Sequence, residues 1–258
     1  HARETLVVEY SPPDALRPAE LGTLVDERAD TLDVSATIID LAVRGYLTIT
    51  ETAKKWIFGN TDYKLTNKNK ATAELLGYEK ELLDRIFAGG KEAKISDLKT
   101  EFYDDLAIVK EKLYENMVSK KLFPTNPEKV RKLYLVWGFA LLILGFSLFI
   151  TFVFIWDILG GITLALGLVG LILTLFSHAM PRRTPAGYKL YRRALGFMHF
   201  INKAEKYKQR FFERKNLFND LLPYAIVFGE TEKFAKALKD LGIEPNQPTW
   251  YQGTGAFN

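Results

Sequence analysis

Residues 133–156 read LYLVWGFALLILGFSLFITFVFIW, and beyond Asp157 residues 158–177 read ILGGITLALGLVGLILTLFS. The first stretch is 24 consecutive uncharged residues and the second is 20. At about 1.5 Å per helical residue, either one crosses a hydrocarbon core of roughly 30 Å. Burying two such helices in a soluble protein would take a large polar shell, and the rest of the chain is short and highly charged. The pattern predicts two transmembrane helices, 133–156 and 158–178. Asp157 is the only charged side chain between Lys132 and Arg182. A continuous helix through it would run to about 45 residues, far more than a bilayer needs. Asp157 therefore marks the turn between the spans. Gly160 and Gly161 relieve that turn, and Trp156 suits the aromatic belt of the interface. Gly161/Ala165 and Thr163/Gly167 are small residues four apart, suited to close packing on the first span or on another one.

Charge sets the orientation. Residues 1–126 carry 18 Lys/Arg against 22 Asp/Glu, whereas residues 127–258 carry 17 against 9. Lys129, Arg131 and Lys132 precede the first span, and Arg182 and Arg183 follow the second. From 181 to 215 there are 11 Lys/Arg and two Glu, while the connection at Asp157 has no basic residue. The positive-inside rule places both flanks in the cytoplasm and the tip outside, as in a multi-pass protein of a plasma membrane.

Residues 10–70 read as a winged-helix-like unit. A Pro-rich lead, YSPPDALRPAE, runs into a helix from Pro18, a favoured first-turn residue. In DVSATIIDLAVRGYLTIT, Asp33 is the expected N-cap, and Val34, Ile38, Leu41 and Ala42 share one helical face. Gly45 ends that helix, Tyr46 to Thr50 alternates as a strand, and Gly59-Asn60 signals a hairpin turn. Trp56 and Phe58 fall in the expected wing. Residues 71–126 read as a second, wingless unit. It has a helix in AELLGYEKELLDRIF, a short helix, and a long helix with Phe102, Leu106, Val109, Leu113 and Met117 on one stripe.

Residues 181–258 form the third region. A helix over 185–212 sets Tyr188, Tyr191, Leu195, Met198 and Ile201 on one stripe, with Lys189, Arg192 and Arg193 beside it. Such a basic amphipathic helix directly after a span is suited to an anionic membrane surface. Arg182, Arg183, Lys189, Arg192 and Arg193 are the candidate headgroup contacts. The same helix could equally lie against the preceding units. The apolar segment from Pro223 to Gly229 is too short to span, and Thr231 to Leu241 is a short helix with Phe234, Leu238 and Leu241 on one face. Trp250, Tyr251 and Phe257 in the tail point to its folding back. The fold class is mainly α with a small β-hairpin: winged-helix-like cytoplasmic units, a two-helix transmembrane hairpin and a C-terminal helical region.

The chemistry of catalysis is thin. The chain has no cysteine and three histidines, His1, His178 and His199, and neither His178 nor His199 has an acidic or histidine partner at ligand spacing. Phosphate-loop, dinucleotide and nucleophile-elbow motifs are absent from the sequence. No catalytic residue, metal or cofactor is expected, and the chain is not read as an enzyme. Nucleic acid is not expected as a partner either, because Arg44 is the only cation of the helix that would read bases and the region is net acidic.

The run Leu41-Ala42-Val43-Arg44-Gly45-Tyr46-Leu47, with Pro12-Pro13, Pro18-Ala19-Glu20, the paired spans, LPYAIVFGETEKFAKAL and the late WYQG, resembles the C-terminal region of the YciQ-like predicted membrane proteins, a bacterial family of unknown function. The resemblance implies a bacterial inner membrane and a preceding extracytoplasmic part with its own signal and span. It carries over no catalytic residues. The chain starts at His1 and is read as a piece of a longer protein. The expected function is a protein-interaction or membrane-associated scaffold, with the lipid bilayer, anionic headgroups and an unidentified protein as partners. A membrane-tethered nucleic-acid-binding regulator and an oligomeric channel component are the alternatives.

Overall fold

The computed structural model describes residues 6–52, 62–101, 103–152, 157–203, 206, 217–240 and 248–253, and it is mainly helical with a small mixed sheet. The order is α1 (Pro18–Asp26), α2 (Thr31–Val43), β1 (Leu47–Thr52), β2 (Asp62–Asn67), α3 (Gly77–Ile86), β3 (Glu92–Lys94), α4 (Ile95–Glu101) and α5 (Tyr103–Ser119). Then follow α6 (Pro127–Phe152), α7 (Asp157–Phe176), α8 (Pro185–Asn202), α9 (Leu217–Val227), α10 (Thr231–Asp240) and β4 (Tyr251–Gln252).

Local chemistry explains the starts and stops. Pro18 opens α1, where its missing N–H costs nothing. The N-cap of α2 is Asp30 and not the expected Asp33. Asp30 Oδ1 accepts from the N–H groups of Leu32 at 2.7 Å and Asp33 at 3.2 Å, and Asp33 Oδ2 returns to the Asp30 N–H at 2.9 Å. Asp33 is thus the returning half of a capping box, and the helix begins two residues before it. Gly45, at φ 79°, ends α2 in a left-handed conformation that costs glycine little.

β1 and β2 pair antiparallel from Leu47↔Asn67 to Thr52↔Asp62. The expected wing residues Trp56, Phe58 and Gly59-Asn60 lie outside the described residues, as do Phe102 and Phe257. The sheet is larger than a hairpin, with order β3-β2-β1-β4. The tail returns to place β4 parallel to β1 at Ile49↔Tyr251 and Thr50↔Gln252. Trp250, 4% exposed, anchors it.

Two hydrophobic clusters form the body. One joins Leu21 and Leu24 of α1, Tyr78 of α3, Leu113 and Met117 of α5, Phe197 and Phe200 of α8, Leu221 of α9 and Phe234 and Leu238 of α10. The other joins Val34 and Leu41 of α2 to Leu47, Leu65, Leu82, Ile86, Val109, Leu222 and Trp250. Both draw side chains from either side of residue 70. The stripe on α5 divides between them: Val109 faces the second cluster, Leu113 and Met117 the first.

α6 and α7 form an antiparallel hairpin. In their most apolar windows only 11% and 22% of the residues are buried, so these are not core helices shielded by the body. Glycines set how close they come. A methyl group at Gly145 would run into the Gly167 backbone, and one at Gly170 into that of Leu142. Gly138 faces Thr174 in the same way. Of the two small-residue pairs expected to pack, Thr163 and Gly167 lie on this seam. Gly161 and Ala165 face outward, and a Cβ at Gly161 would meet nothing within 4 Å. The hydroxyls of Thr163 and Thr174 bond back to carbonyls of their own helix at 2.9 Å, so neither is left bare on the seam.

Candidate functional site at the base of the hairpin

α6 begins six residues before the apolar stretch, at Pro127, and so carries Arg131 down into the body. Arg131, 8% exposed, donates from Nη2 to the Glu27 carbonyl at 2.7 Å. Arg183, just beyond α7, reaches the same place. Its Nε donates to Leu24 O at 2.7 Å and its Nη2 to Val25 O at 2.8 Å, while Nη1 stands 2.7 Å from Glu27 Oε1. Its guanidinium also lies 4.0 Å over the Tyr191 ring. These carbonyls are the orphan acceptors and the negative end of α1, where a cation is favoured by about 0.3–2 kcal/mol. Arginines from the two ends of the hairpin thus clamp one helix terminus.

Glu27 itself stands at φ 64°, left-handed and not glycine. Such a conformation costs of order 1–3 kcal/mol and persists where its surroundings over-determine it. Lys121, at φ 57°, ends α5 in the same way. The next residue after Arg183 binds there: Thr184 N–H donates to Leu122 O at 3.0 Å and Thr184 Oγ1 to Lys121 O at 2.6 Å. Thr184 Oγ1 also accepts from Gly187 N–H at 2.9 Å, which starts α8. The dipeptide Arg183-Thr184 therefore ends two helices and begins a third.

The other end of α1 enters a buried ionic network. Arg17 N–H donates to Glu20 Oε2 at 2.9 Å, and Leu76 N–H to Glu79 Oε2 at 2.8 Å, so both acids cap their own helices. Both are 0% exposed. The second oxygen of Glu20 accepts from Asn116 and Lys120 of the α5 terminus. That of Glu79 accepts from Arg44 at 2.5 Å, and Arg44 also stands 2.7 Å from Asp40. Burial is the first cause raising the Asp40 and Glu79 carboxyls above their ordinary range, and Arg44 opposes it. Asp33 is the third acid in a returning cap, and its Oδ1 receives no hydrogen bond among the described residues. It lies against Gly22 and Val227. Burial pushes this carboxyl up to about 8; the Asp30 N–H opposes that, the charges of Asp26 and Asp30 add to it, and Lys110 opposes it.

The residues singled out from the sequence divide. Asp157 is the first residue of α7, and Gly160 and Gly161 lie in that helix's first turns. Arg182 and Lys189 are exposed and have no side-chain partner among the described residues. Arg183 serves the clamp. Arg193 binds Glu9 and Asp14, both at 2.5 Å, tying the N-terminal segment along α8. Arg192 is half-buried. From the sequence, Glu20, Glu27 and Glu79 are given no structural role, Glu20 entering only within the Pro18-Ala19-Glu20 run. The acid three residues into each of α1, α2 and α3 was the available signal, in RPAE, DTLD and LGYE. No group of three or more His, Asp or Glu placed to hold a metal ion occurs among the described residues.

Residues 7–238 match the family described as "Predicted membrane protein (DUF2207) C-terminal domain". The chain belongs to this family of predicted membrane proteins, whose function is unknown. That agrees with the resemblance drawn from the Leu41–Leu47 run and the paired spans. No curated protein and no solved structure matches the chain.

Proposed function

We propose that this chain is the C-terminal, cytoplasm-facing part of a larger bacterial inner-membrane protein, and that its helical body is a protein-interaction scaffold held in a fixed pose by the hairpin. The observation that carries the reading is the clamp of Arg131 and Arg183 on α1. A body merely tethered to its anchor would need no such joint. The family description as a C-terminal domain supports the larger parent. Basic residues on both flanks, against none at Asp157, support the cytoplasmic side for the body. The order α1-α2-β1-β2 supports the winged-helix-like description of residues 10–70, with 71–126 as its wingless companion. Arg44 is committed to Asp40 and Glu79, which favours a scaffold over a reader of nucleic acid.

The absence of cysteine makes the test direct. Spin labels on Lys80→Cys in the body and Leu168→Cys on the outer face of α7 report the pose in reconstituted bilayers. A single narrow distance is expected, broadening when Arg131 and Arg183 are both changed to Ala. A broad distribution in the parent chain would overturn the fixed pose. Photo-crosslinking from the body in native membranes then tests the scaffold role, and recovery of no discrete adduct from any exposed body position would overturn it. Reporter fusions at residue 258 and at the Asp157 tip test the orientation.

A further inference from the structure

The hairpin fixes where lipid headgroups must lie. α6 turns from charged to apolar between Lys132 and Leu133, and α7 ends at Phe176, where a short 3₁₀ turn, Ser177–Ala179, packs against α6. Arg131 and Arg183 meet on Glu27, so their neighbours Lys132 and Arg182 stand at the same level. The bonds from Thr184 to Lys121 O and Leu122 O bring Lys121 alongside. Lys189 follows in the first turns of α8, next to Tyr188, which is 52% exposed. Lys121, Lys132, Arg182 and Lys189 are all exposed. The only side-chain contact any of the four shows among the described residues is Lys132 to Glu128 at 3.8 Å. Tyr134, 36% exposed, sits at the start of the apolar stretch, a depth tyrosine favours.

We propose that Lys121, Lys132, Arg182 and Lys189 form a collar around the base of the hairpin that binds the headgroups of an anionic phospholipid bilayer, with Tyr134 and Tyr188 as interfacial anchors. Three chain segments contribute to it, and the clamp sets their common level. Arg183 and Arg193, basic residues of the same region, stand outside the collar because backbone carbonyls, Glu9, Asp14 and Glu27 already hold them. The inference rests on the hairpin spanning the membrane and names the chemistry that its inner rim meets.

The test is lipid selectivity around the full chain in nanodiscs, read with spin-labelled phosphatidylglycerol against spin-labelled phosphatidylcholine. Phosphatidylglycerol is expected to be preferred. Each single change, Lys121→Gln, Lys132→Gln, Arg182→Gln or Lys189→Gln, is expected to cut the preference about fivefold at low salt. The quadruple variant is expected to abolish it, and so is high salt. Arg182→Lys is expected to retain it. Lys94→Gln, on a sheet strand away from the hairpin, is expected to leave it unchanged. Retention of the preference in the quadruple variant, or no preference in the parent chain, would overturn the collar. Competition by millimolar inorganic phosphate would also overturn it, in favour of a site for free anions. The spin-label distance between α3 and α7 is read in the same samples. A narrow distance without selectivity sinks the collar alone, whereas a broad distance in the parent chain sinks the clamped pose.

Discussion

Asp33, Glu20 and Glu79 are three acids in the same local role, each returning to the N–H that precedes its helix. Two of them spend their second oxygen on cations, and Asp33 does not. A buried carboxylate facing Gly22 and Val227 is costly, so this side chain holds its proton, with a pKa of about 8 in place of 3.8. The folded protein binds that proton more tightly than the unfolded chain. Its contribution to stability is therefore complete below the unfolded value near 4 and is lost as pH rises through about 8. The melting temperature should fall between pH 6 and pH 9, and Asp33→Asn should flatten that decline and raise the value at pH 9. An unchanged slope in Asp33→Asn would show that another group titrates. Arg44→Ala tests the opposite situation. It leaves Asp40 and Glu79 buried without their cation and should destabilise by about 3–5 kcal/mol, with Glu79→Gln in the same chain recovering part of the loss in denaturation experiments. The acids were visible in the sequence at cap spacing. Which of them would have a cation was not, because Arg44 and Lys120 arrive from other parts of the chain.

At the scale of elements, the hairpin is a seam of glycines and the tail is a strand pinned by one indole. Gly145→Ala must push α6 away from the Gly167 backbone and is expected to cost about 1–3 kcal/mol. Gly161→Ala points into open space and should be neutral; thermal melting in one detergent compares the two directly. The sequence offered Gly161/Ala165 and Thr163/Gly167 on equal terms. Only the rotation of α7 about its axis, set by α6, separates them. For the tail, Ile49 N–H donates to Trp250 O at 2.8 Å. Trp250→Ala should release β4, expose that amide to hydrogen exchange and cost about 3–5 kcal/mol. Protection of Ile49 as strong as in the parent chain would mean that β4 holds by its backbone alone. The aromatics of the tail predicted a return to the body, but a parallel pairing across some 200 residues leaves no local pattern to read.

For the whole molecule, the apolar runs made the two long helices of the hairpin readable, since these follow from length and composition, and the basic flanks carry the orientation proposed above. Most helices of the body were readable from their periodicity and stops, although α8 ends at Asn202 and not at 212. The joint between hairpin and body was not, because the Arg131 and Arg183 that count towards positive-inside are the same residues that cap α1. Their charge was legible and their destination was not. Asp157→Asn is expected to leave insertion and abundance unchanged, as suits a residue that opens α7 at the turn; severe loss in membrane fractions would return it to functional candidacy.

The unbroken course of α6 from Pro127 to Phe152 carries a further consequence. The 20 residues from Leu133 to Phe152, part of the 24-residue apolar run, are already long enough for an average bilayer, and tilting is one way such a helix fits a thinner one. Arg131 lies on the same rigid rod, two residues below the apolar limit, and holds α1. With the hairpin spanning a bilayer as proposed, a change in membrane thickness that tilts α6 would rotate the body relative to the membrane plane, with the hairpin as the lever and Glu27 as its point of attachment. Short-chain and long-chain lipids should give different depths for a label on α3 while its distance to α7 stays constant.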